Sequence, residues 1–347
     1  MQKGWCQVRA LARIWLRIQI LLCGLVVITG CEWGKPEKPV LWVYTSMYKD
    51  TIQDLKTQLD QDLPGVEIKW YQAGSEEIAA KVNAELIAGH CQADVLISSD
   101  RFWYEELSDR GFLHAYRPPN GSEVPDTLRH PQGFYSTVSI PVMVMVYNGE
   151  VFSQDEVPKS FKEMADPKWK GKLTTGSPLA SGTNFTTVAM LQNAYGWEYI
   201  EALRRNETIS QGGNSGVLRR IQSKERPIGW VLMENLLRLQ KKDKRIKTLY
   251  PADGVVIQSN VMAITKKPGE SREWAEKLAN WLYSKKGQEA MTRSYMYSPL
   301  ASVAPPEGAP PFSDISKSAF PWTQEFLSKV VKERQDIKER FSQIMFD

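Results

Sequence analysis

Several short clusters of serine, threonine, glycine and asparagine stand where a predicted strand ends or a predicted helix begins. Free backbone N–H groups and the positive end of the helix dipole make a helix N-terminus suitable for binding an anion. Glycine allows a ligand to approach the backbone closely, and hydroxyl groups add hydrogen-bond donors. Any one cluster could simply cap a helix, but five clusters that converge on one ligand cleft favour an oxyanion site. The residues predicted to contact the ligand are Ser46, Ser75, Ser99, Ser181, Gly182, Thr183, Asn214 and Ser215.

The sequence offers few residues for other kinds of chemistry. Its three histidines, His90, His114 and His130, have no evident serine or aspartate partners, and neither G-x-S-x-G nor H-E-x-x-H occurs. No Walker-type lysine follows a glycine cluster, so nucleotide hydrolysis is not indicated. His90 and Cys91 are neighbours, and adjacent residues rarely converge on one metal ion. We therefore predict neither an enzyme nor a bound cofactor or metal ion.

The strands and helices that position these clusters can be predicted from alternating patterns along the sequence. Short apolar or alternating runs predict strands at 40–44, 66–70 and 94–97, and helical periodicity predicts a helix at 50–63. A second helix is predicted to begin at Ser75, where an N-cap residue is followed by two acids. Repeated strand–helix–strand units indicate an α/β fold with mainly parallel sheets.

Two longer apolar runs, 139–147 and 254–264, enclose roughly 100 residues with their own strand and helix signals. We interpret them as crossover strands between two α/β lobes, which would form a two-strand hinge beside a ligand cleft. The predicted domains are lobe 1 at 40–140, lobe 2 at 141–255, and a return to lobe 1 with C-terminal helices at 256–347. The helices predicted in that last part span 272–292 and 324–344.

The N-terminal segment has the pattern of an export signal. Residues 1–30 contain four basic and no acidic side chains, then a short apolar run that ends before Cys31. We predict cleavage there, lipidation of Cys31, a polar tether at 31–39, and a location in the periplasm or on the cell surface. An uncleaved anchor helix is the alternative. Without the signal, the chain contains 40 basic and 40 acidic residues, so its net charge indicates no nucleic-acid partner.

Several motifs resemble those of bacterial extracellular solute-binding proteins, in the branch that includes ferric-ion, phosphonate and sugar-phosphate binders of ABC importers. The motifs lie at 92–100, 146–148, 158–161, 164–173 and 178–183, within a resemblance that covers about residues 40–300. The resemblance implies two α/β lobes around a cleft. It also implies a monomer that captures a small solute and delivers it to an ABC permease in the inner membrane.

The identity of the solute is less well defined by the sequence. Ferric binders of this family commonly use adjacent tyrosines in the second lobe, but the corresponding segment here, 229–235, contains no tyrosine. Glu234 and Asn235 could instead hold hydroxyl groups or an ammonium group of the ligand. We therefore expect a small anion, preferably an organophosphate or phosphonate. The alternatives are ferric ion with a synergistic anion, or a periplasmic sensor or enzyme on the same scaffold.

Overall fold

The computed structural model of this chain describes residues 38–267 and 269–347. The predicted signal segment and Cys31 lie outside the described residues. Within those ranges, none of the helices combines the length and the apolar character needed to cross a bilayer. Two β-sheets with helices packed against them form the two lobes, which confirms the predicted two-lobed α/β fold.

The first sheet defines lobe 1 and contains six strands in the order β2-β1-β3-β12-β4, with β5 also paired to β12. Its strands are β1 Val40–Thr45, β2 Glu67–Gln72, β3 Val95–Ser98, β4 Leu113–His114, β5 Ser136–Ser139 and β12 Asn260–Thr265. β1 is parallel to β2 and β3, whereas β12 is antiparallel to each of its three neighbours.

The second sheet defines lobe 2 and contains six strands in the order β10-β6-β9-β7-β8, with β11 also paired to β6. Its strands are β6 Val142–Asn148, β7 Leu173–Thr175, β8 Ile209–Ser210, β9 Ile228–Leu232, β10 Ile246–Leu249 and β11 Val256–Ile257. β7 is parallel to β8 and β9, and β6 is antiparallel to β9, β10 and β11.

The expectation of mainly parallel sheets is therefore wrong, because both sheets are mixed. The antiparallel pairings all involve β6 or β12, the two strands that the chain enters directly from the other lobe. A parallel neighbour requires a crossover connection that is usually a helix, and these two strands are reached without one. Strand periodicity reveals that a segment is extended but not the direction from which the chain enters the sheet.

Eleven helices of the α type lie in the described residues. They are α1 Lys49–Asp62, α2 Ser75–Ile87, α3 Arg101–Asp109, α4 Gly182–Tyr195, α5 Trp197–Arg205, α6 Asn214–Gln222, α7 Met233–Gln240, α8 Glu270–Leu282, α9 Lys285–Arg293, α10 Phe312–Ser316 and α11 Gln324–Phe346. The prediction of one helix at 272–292 is wrong, because α8 ends and α9 begins within that range. Ser284 caps the new helix by accepting the N–H of Gly287 at 3.2 Å.

Each predicted crossover run is divided into two strands at the hinge. Pro141 separates β5 from β6, since proline has no N–H to contribute to a strand ladder. In the return crossover, β11 still belongs to the lobe 2 sheet, so that sheet extends to Ile257, beyond the predicted limit of 255. The N–H of Gln258 donates to the carbonyl of Pro141 at 2.9 Å, which ties the two hinge segments together.

The C-terminal helix α11 joins both lobes. Its apolar residues Phe326, Val330 and Phe341 are buried in the core cluster of lobe 2. That cluster also contains Phe102 from α3 of lobe 1, whose ring meets Phe326 edge-on at a centroid distance of 5.9 Å. The predicted terminal helix is confirmed, and it packs against α3, α4 and α5.

Candidate functional site: the cleft between the lobes

A cavity of about 380 Å³ lies in the cleft and receives residues from both lobes. Such a volume lies within the range of sites for small organic molecules. Nearly all the residues predicted to contact a ligand line it. These are Ser46, Ser75, Ser99, Ser181, Thr183, Asn214, Ser215 and Glu234. Gly182 is not among the lining residues, because its backbone faces lobe 1 directly.

The first turn of α4 forms one part of the lobe 2 wall. Ser181 is its N-cap residue, and its Oγ accepts the N–H of Asn184 at 3.4 Å. The same Oγ lies 3.0 Å from Oγ1 of Thr183, and the side-chain amide of Asn214 donates to Thr183 Oγ1 at 3.3 Å. Ser181 thus serves as an ordinary helix cap and also lines the cavity. The hydroxyls and the amide form one connected polar surface.

The first turn of α6 forms the adjacent part of this wall. Its N-cap residue is Gly213, which has no side chain with which to cap the helix. The backbone N–H groups of Asn214 and Ser215 form no hydrogen bond to any of the described residues. Uncapped amides at the positive end of a helix dipole are suited to an anionic ligand.

Two arginines of α6 also line the cavity and were missed in the sequence. Neither Arg219 nor Arg220 forms an ion pair with a carboxylate of the described residues. Arg220 donates from Nε to Thr174 Oγ1 at 2.7 Å and from Nη2 to the carbonyl of Gln211 at 2.8 Å. Burial lowers the pKa of Arg220, yet a guanidinium stays protonated in proteins, so the wall carries positive charge that no ion pair within the described residues neutralises.

Lobe 1 approaches lobe 2 closely at Gly182. Its N–H donates to Ser75 Oγ across the cleft at 2.7 Å. A Cβ atom at position 182 would lie 2.9 Å from Cβ of Asp100 and 3.0 Å from Ser75 Oγ. Only glycine allows this approach, and the bond it forms links the lobes in a closed arrangement.

An acidic and a phenolic group occupy another part of the cavity. Glu234 is only 3% exposed, and its Oε2 has no hydrogen-bond partner among the described residues. Burial raises the pKa of Glu234 to about 8, which makes the carboxyl neutral near pH 7. Tyr48 lies close by, accepts a hydrogen bond from Asn235 Nδ2 at 2.7 Å, and has its pKa raised to about 12, chiefly by burial. Glu234 therefore faces the cavity, whereas Asn235 supports Tyr48.

Other polar lining residues were also missed by the sequence reasoning. They are Tyr48, Thr51, Gln72, Gln211, Asn260 and Ser294. Tyr48, Thr51, Gln72 and Gln211 lie at or beside strand-to-helix junctions, whereas Asn260 begins β12 and Ser294 directly follows α9. Arg219 had a usable signal, because it follows Ser215 by four residues and so shares its helix face.

Trp230, Tyr44 and the Cys91 thiol lie outside the cavity. Trp230 and Tyr44 are each 1% exposed and belong to the cores of their lobes. No cluster of three or more His, Cys, Asp or Glu residues suited to a metal ion occurs in the described part of the chain. Cys91 is a partly buried free thiol, and desolvation raises its pKa to about 11.

The fold and the cleft define a two-lobed binding protein. Residues 92–328 match the family described as bacterial extracellular solute-binding proteins, and the chain belongs to this family. It is the substrate-binding component of an ABC transporter and acts outside the cytoplasm.

Two relatives and two solved structures illustrate the range of this family. The chain is 24% identical over 237 residues to an uncharacterized protein of Haemophilus influenzae, covering 65% of this chain and 67% of the relative. It is 25% identical over 285 residues to iron uptake protein A1 of Synechocystis, covering 77% and 78%.

Among solved structures, AfuA from Actinobacillus pleuropneumoniae, with fructose-6-phosphate bound, has a TM-score of 0.77 and 19% identity, covering 89% of this chain and 99% of that one. Iron-bound HitA from Pseudomonas aeruginosa has a TM-score of 0.75 and 19% identity, covering 87% and 99%. At such identities the structures establish the fold, and their ligands belong to those proteins.

Proposed function

We propose that this protein captures a small phosphorylated or phosphonate organic molecule and delivers it to its permease. The observation that carries this proposal is the lobe 2 wall, where one cavity is lined by uncapped helix amides, hydroxyl groups and two arginines that have no carboxylate partner among the described residues. A phosphoryl group provides several strong acceptor oxygens for such donors, and hydrogen bonds between charged groups are stronger than those between neutral ones.

The remainder of the cavity suits a polar organic moiety. Its volume of about 380 Å³ leaves room beside a phosphoryl group. Near Tyr48, Oε2 of the neutral Glu234 carboxyl has no partner among the described residues, and a hydroxyl group of the ligand would supply one, because a hydroxyl both donates and accepts hydrogen bonds. This pairing would recognise the part of the ligand that distinguishes it from inorganic phosphate.

The proposed transport mechanism is a shift in population between open and closed lobes. A ligand in this cavity contacts both walls only when the lobes are closed, so its binding favours that state. The hydrogen bond from Gly182 to Ser75 belongs to the same closed arrangement. The closed, loaded form would then present the solute to the permease.

Ferric ion is the second candidate, and the name of the Synechocystis relative, iron uptake protein A1, favours it. A ferric site needs anionic oxygen ligands, and the cavity offers one phenol and one carboxyl group, Tyr48 and Glu234. Burial raises the pKa of both groups, so Fe³⁺ would have to displace both protons. Iron-loaded protein with tyrosyl coordination would show a phenolate-to-iron absorption band, whereas the organophosphate proposal expects none.

The direct experiment is mass spectrometry of the small molecule that co-purifies with protein lacking residues 1–31. The expected result is an organic compound that contains phosphorus. A molecule without phosphorus, or iron with a carboxylate, would contradict the proposal.

A titration with fructose 6-phosphate and with fructose provides the complementary test. Binding of the phosphorylated sugar should be stronger and should weaken on Arg219→Met, because one cationic group of the wall is lost. Arg204→Met is the matched control, since Arg204 is also an exposed arginine in the last turn of a helix but lies outside the cavity. Equal binding of the two sugars would count against phosphoryl recognition.

We also infer that a lipid on Cys31 holds the protein at a membrane. Its support is the sequence pattern of a basic start, a short apolar run and small residues before the cysteine. Cys31→Ser should move the protein from the membrane fraction to the soluble fraction of cells. Retention of the variant in the membrane would favour the alternative of an uncleaved anchor helix.

A further inference from the structure

We propose that Arg334 of α11 is a positioning residue that holds and neutralises the lobe 1 half of the anion site. It does not line the cavity itself. The inference rests on the proposed function for its effect on ligand binding, whereas the holding role can be tested without any ligand.

Arg334 binds two carboxylates of lobe 1 at the same time. Its Nε donates to Asp100 Oδ2 at 3.0 Å, and its Nη2 donates to both carboxylate oxygens of Glu76 at 3.1 Å each. Lys338, one turn further along α11, also binds Glu76. The Asp100 side chain is fully buried and the other three are 10–16% exposed, so water screens this network only weakly.

The two carboxylates adjoin two of the predicted ligand contacts. Glu76 directly follows Ser75 in the first turn of α2, and Asp100 directly follows Ser99 before α3. Asp100 also caps α3, because its Oδ1 accepts the N–H of Trp103 at 3.3 Å. A single guanidinium therefore fixes the starts of α2 and α3, which carry Ser75 and follow Ser99, two of the lobe 1 hydroxyls at the cavity.

The charge of this network bears on the anion as well. Two unpaired carboxylates directly behind the lobe 1 wall would repel a phosphoryl group, and Arg334 with Lys338 balances them. Burial and the neighbouring Asp100 raise the pKa of Glu76, so its ionised form depends on these two cations. Removing one partner of a buried ion pair leaves an uncompensated charge, and such a loss is strongly unfavourable.

The charged groups that act on Glu76 come from α11 and from the start of α3. Arg334 and Lys338 on α11 favour its ionised form, and Asp100 at the start of α3 opposes it. The carboxylate of Glu106 on α3 also raises the pKa of Arg334 and so favours its charged form. Without Arg334, the pKa of Glu76 should rise further, so that acid conditions remove one of the two repelling charges.

The first arm of the test uses protein to which no ligand is added. Amide hydrogen exchange is measured at residues 75–79 and 100–104 in wild type, Arg334→Met, and the control Lys332→Met, which removes an exposed charge from the same helix. Exchange should become faster in Arg334→Met and remain unchanged in Lys332→Met. Unchanged exchange in Arg334→Met would overturn the positioning role.

The second arm measures the Kd of fructose 6-phosphate at pH 8 and pH 5.5. Arg334→Met should weaken binding about tenfold at pH 8 and less at pH 5.5, because the raised pKa of Glu76 favours its neutral form as the pH falls. Glu76→Gln combined with Arg334→Met should recover most of the affinity, and Arg334→Lys should recover part of it. A loss that is the same at both pH values, or that the double variant does not relieve, would overturn the electrostatic role.

The two arms separate this inference from the proposed function. If wild type binds no phosphorylated probe, the proposed function is contradicted, while hydrogen exchange still decides whether Arg334 positions α2 and α3. If wild type binds the probe but Arg334→Met binds it equally well, the role of Arg334 in ligand binding is overturned and the proposed function stands.

Discussion

The two walls of the cleft both present hydroxyl groups to the cavity, but they differ in how charge is arranged around those groups. The lobe 2 wall has uncapped helix amides and two arginines, Arg219 and Arg220, that form no ion pair with a described carboxylate. In the lobe 1 wall, hydroxyl groups precede buried acids, whose charge is balanced from behind by α11. Lobe 2 is thus built to attract an anion, and lobe 1 is built to close on it without repelling it.

This difference predicts the order in which the two lobes contact the ligand. An anion should associate first with lobe 2, where the positive charge is uncompensated, and lobe 1 should then complete the site on closure. Substitutions in lobe 2 should therefore reduce affinity more than those in lobe 1.

The largest effect is expected for Ser181→Ala combined with Thr183→Ala. Both hydroxyls belong to the connected polar surface of lobe 2, and hydrogen bonds to charged groups are worth roughly 1.5–3 kcal/mol. Calorimetric titration with the phosphorylated ligand should show binding weakened by about tenfold or more. Thr57→Ala with Ser122→Ala removes two exposed hydroxyls and serves as control. An unchanged Kd in the first pair would refute the assignment of the anion to lobe 2.

An intermediate effect is expected for Glu234→Gln, which should change how the melting temperature depends on pH. The pKa of Glu234 is about 8 in the folded protein, so the folded state retains a proton that the unfolded state loses near pH 4.5. The folded state therefore binds more protons between these values, and stability falls as pH rises through them. Glutamine has no proton to lose, so the variant should melt higher than wild type at pH 8.5, by roughly 5 °C.

The melting difference between Glu234→Gln and wild type should vanish well below pH 4.5, where the Glu234 carboxyl is neutral in both the folded and the unfolded protein. Glu289→Gln, at an exposed position on α9, should follow the wild-type profile at every pH. A melting difference that does not depend on pH would show that Glu234 is not the titrating group.

The smallest effect is expected for Ser75→Ala in lobe 1. The variant loses the acceptor for the N–H of Gly182, a single neutral hydrogen bond worth about 0.5–1.5 kcal/mol. Affinity should fall by roughly two- to tenfold, and small-angle scattering should show a more open ligand-free protein. Ser122→Ala is the matched control. A loss as large as that of the lobe 2 pair would remove the distinction between the walls.

Much of the cleft was predictable because strand-to-helix junctions are local signals. Ser75 and Ser181 were found because a hydroxyl at a helix start has a recognisable sequence context. Arg219 was missed because its one signal is its spacing from Ser215 along a helix face, and Tyr48 was missed because it has an aromatic side chain where a small hydroxyl residue is expected at a helix start. Their place in the site depends on how α6 and the segment after β1 face the other lobe.

The amino-acid sequence by itself determined the two-lobed α/β architecture, the main strand and helix positions and the helix N-termini, because periodicity and capping act over a few residues. Tertiary structure alone decided the antiparallel entry of β6 and β12, the break between α8 and α9, and the contact of Arg334 with Glu76 and Asp100. Those features join residues that are as many as 258 positions apart. The physical reason is that charge balance and burial depend on the neighbours that a residue acquires on folding, and distant neighbours leave no mark on local sequence.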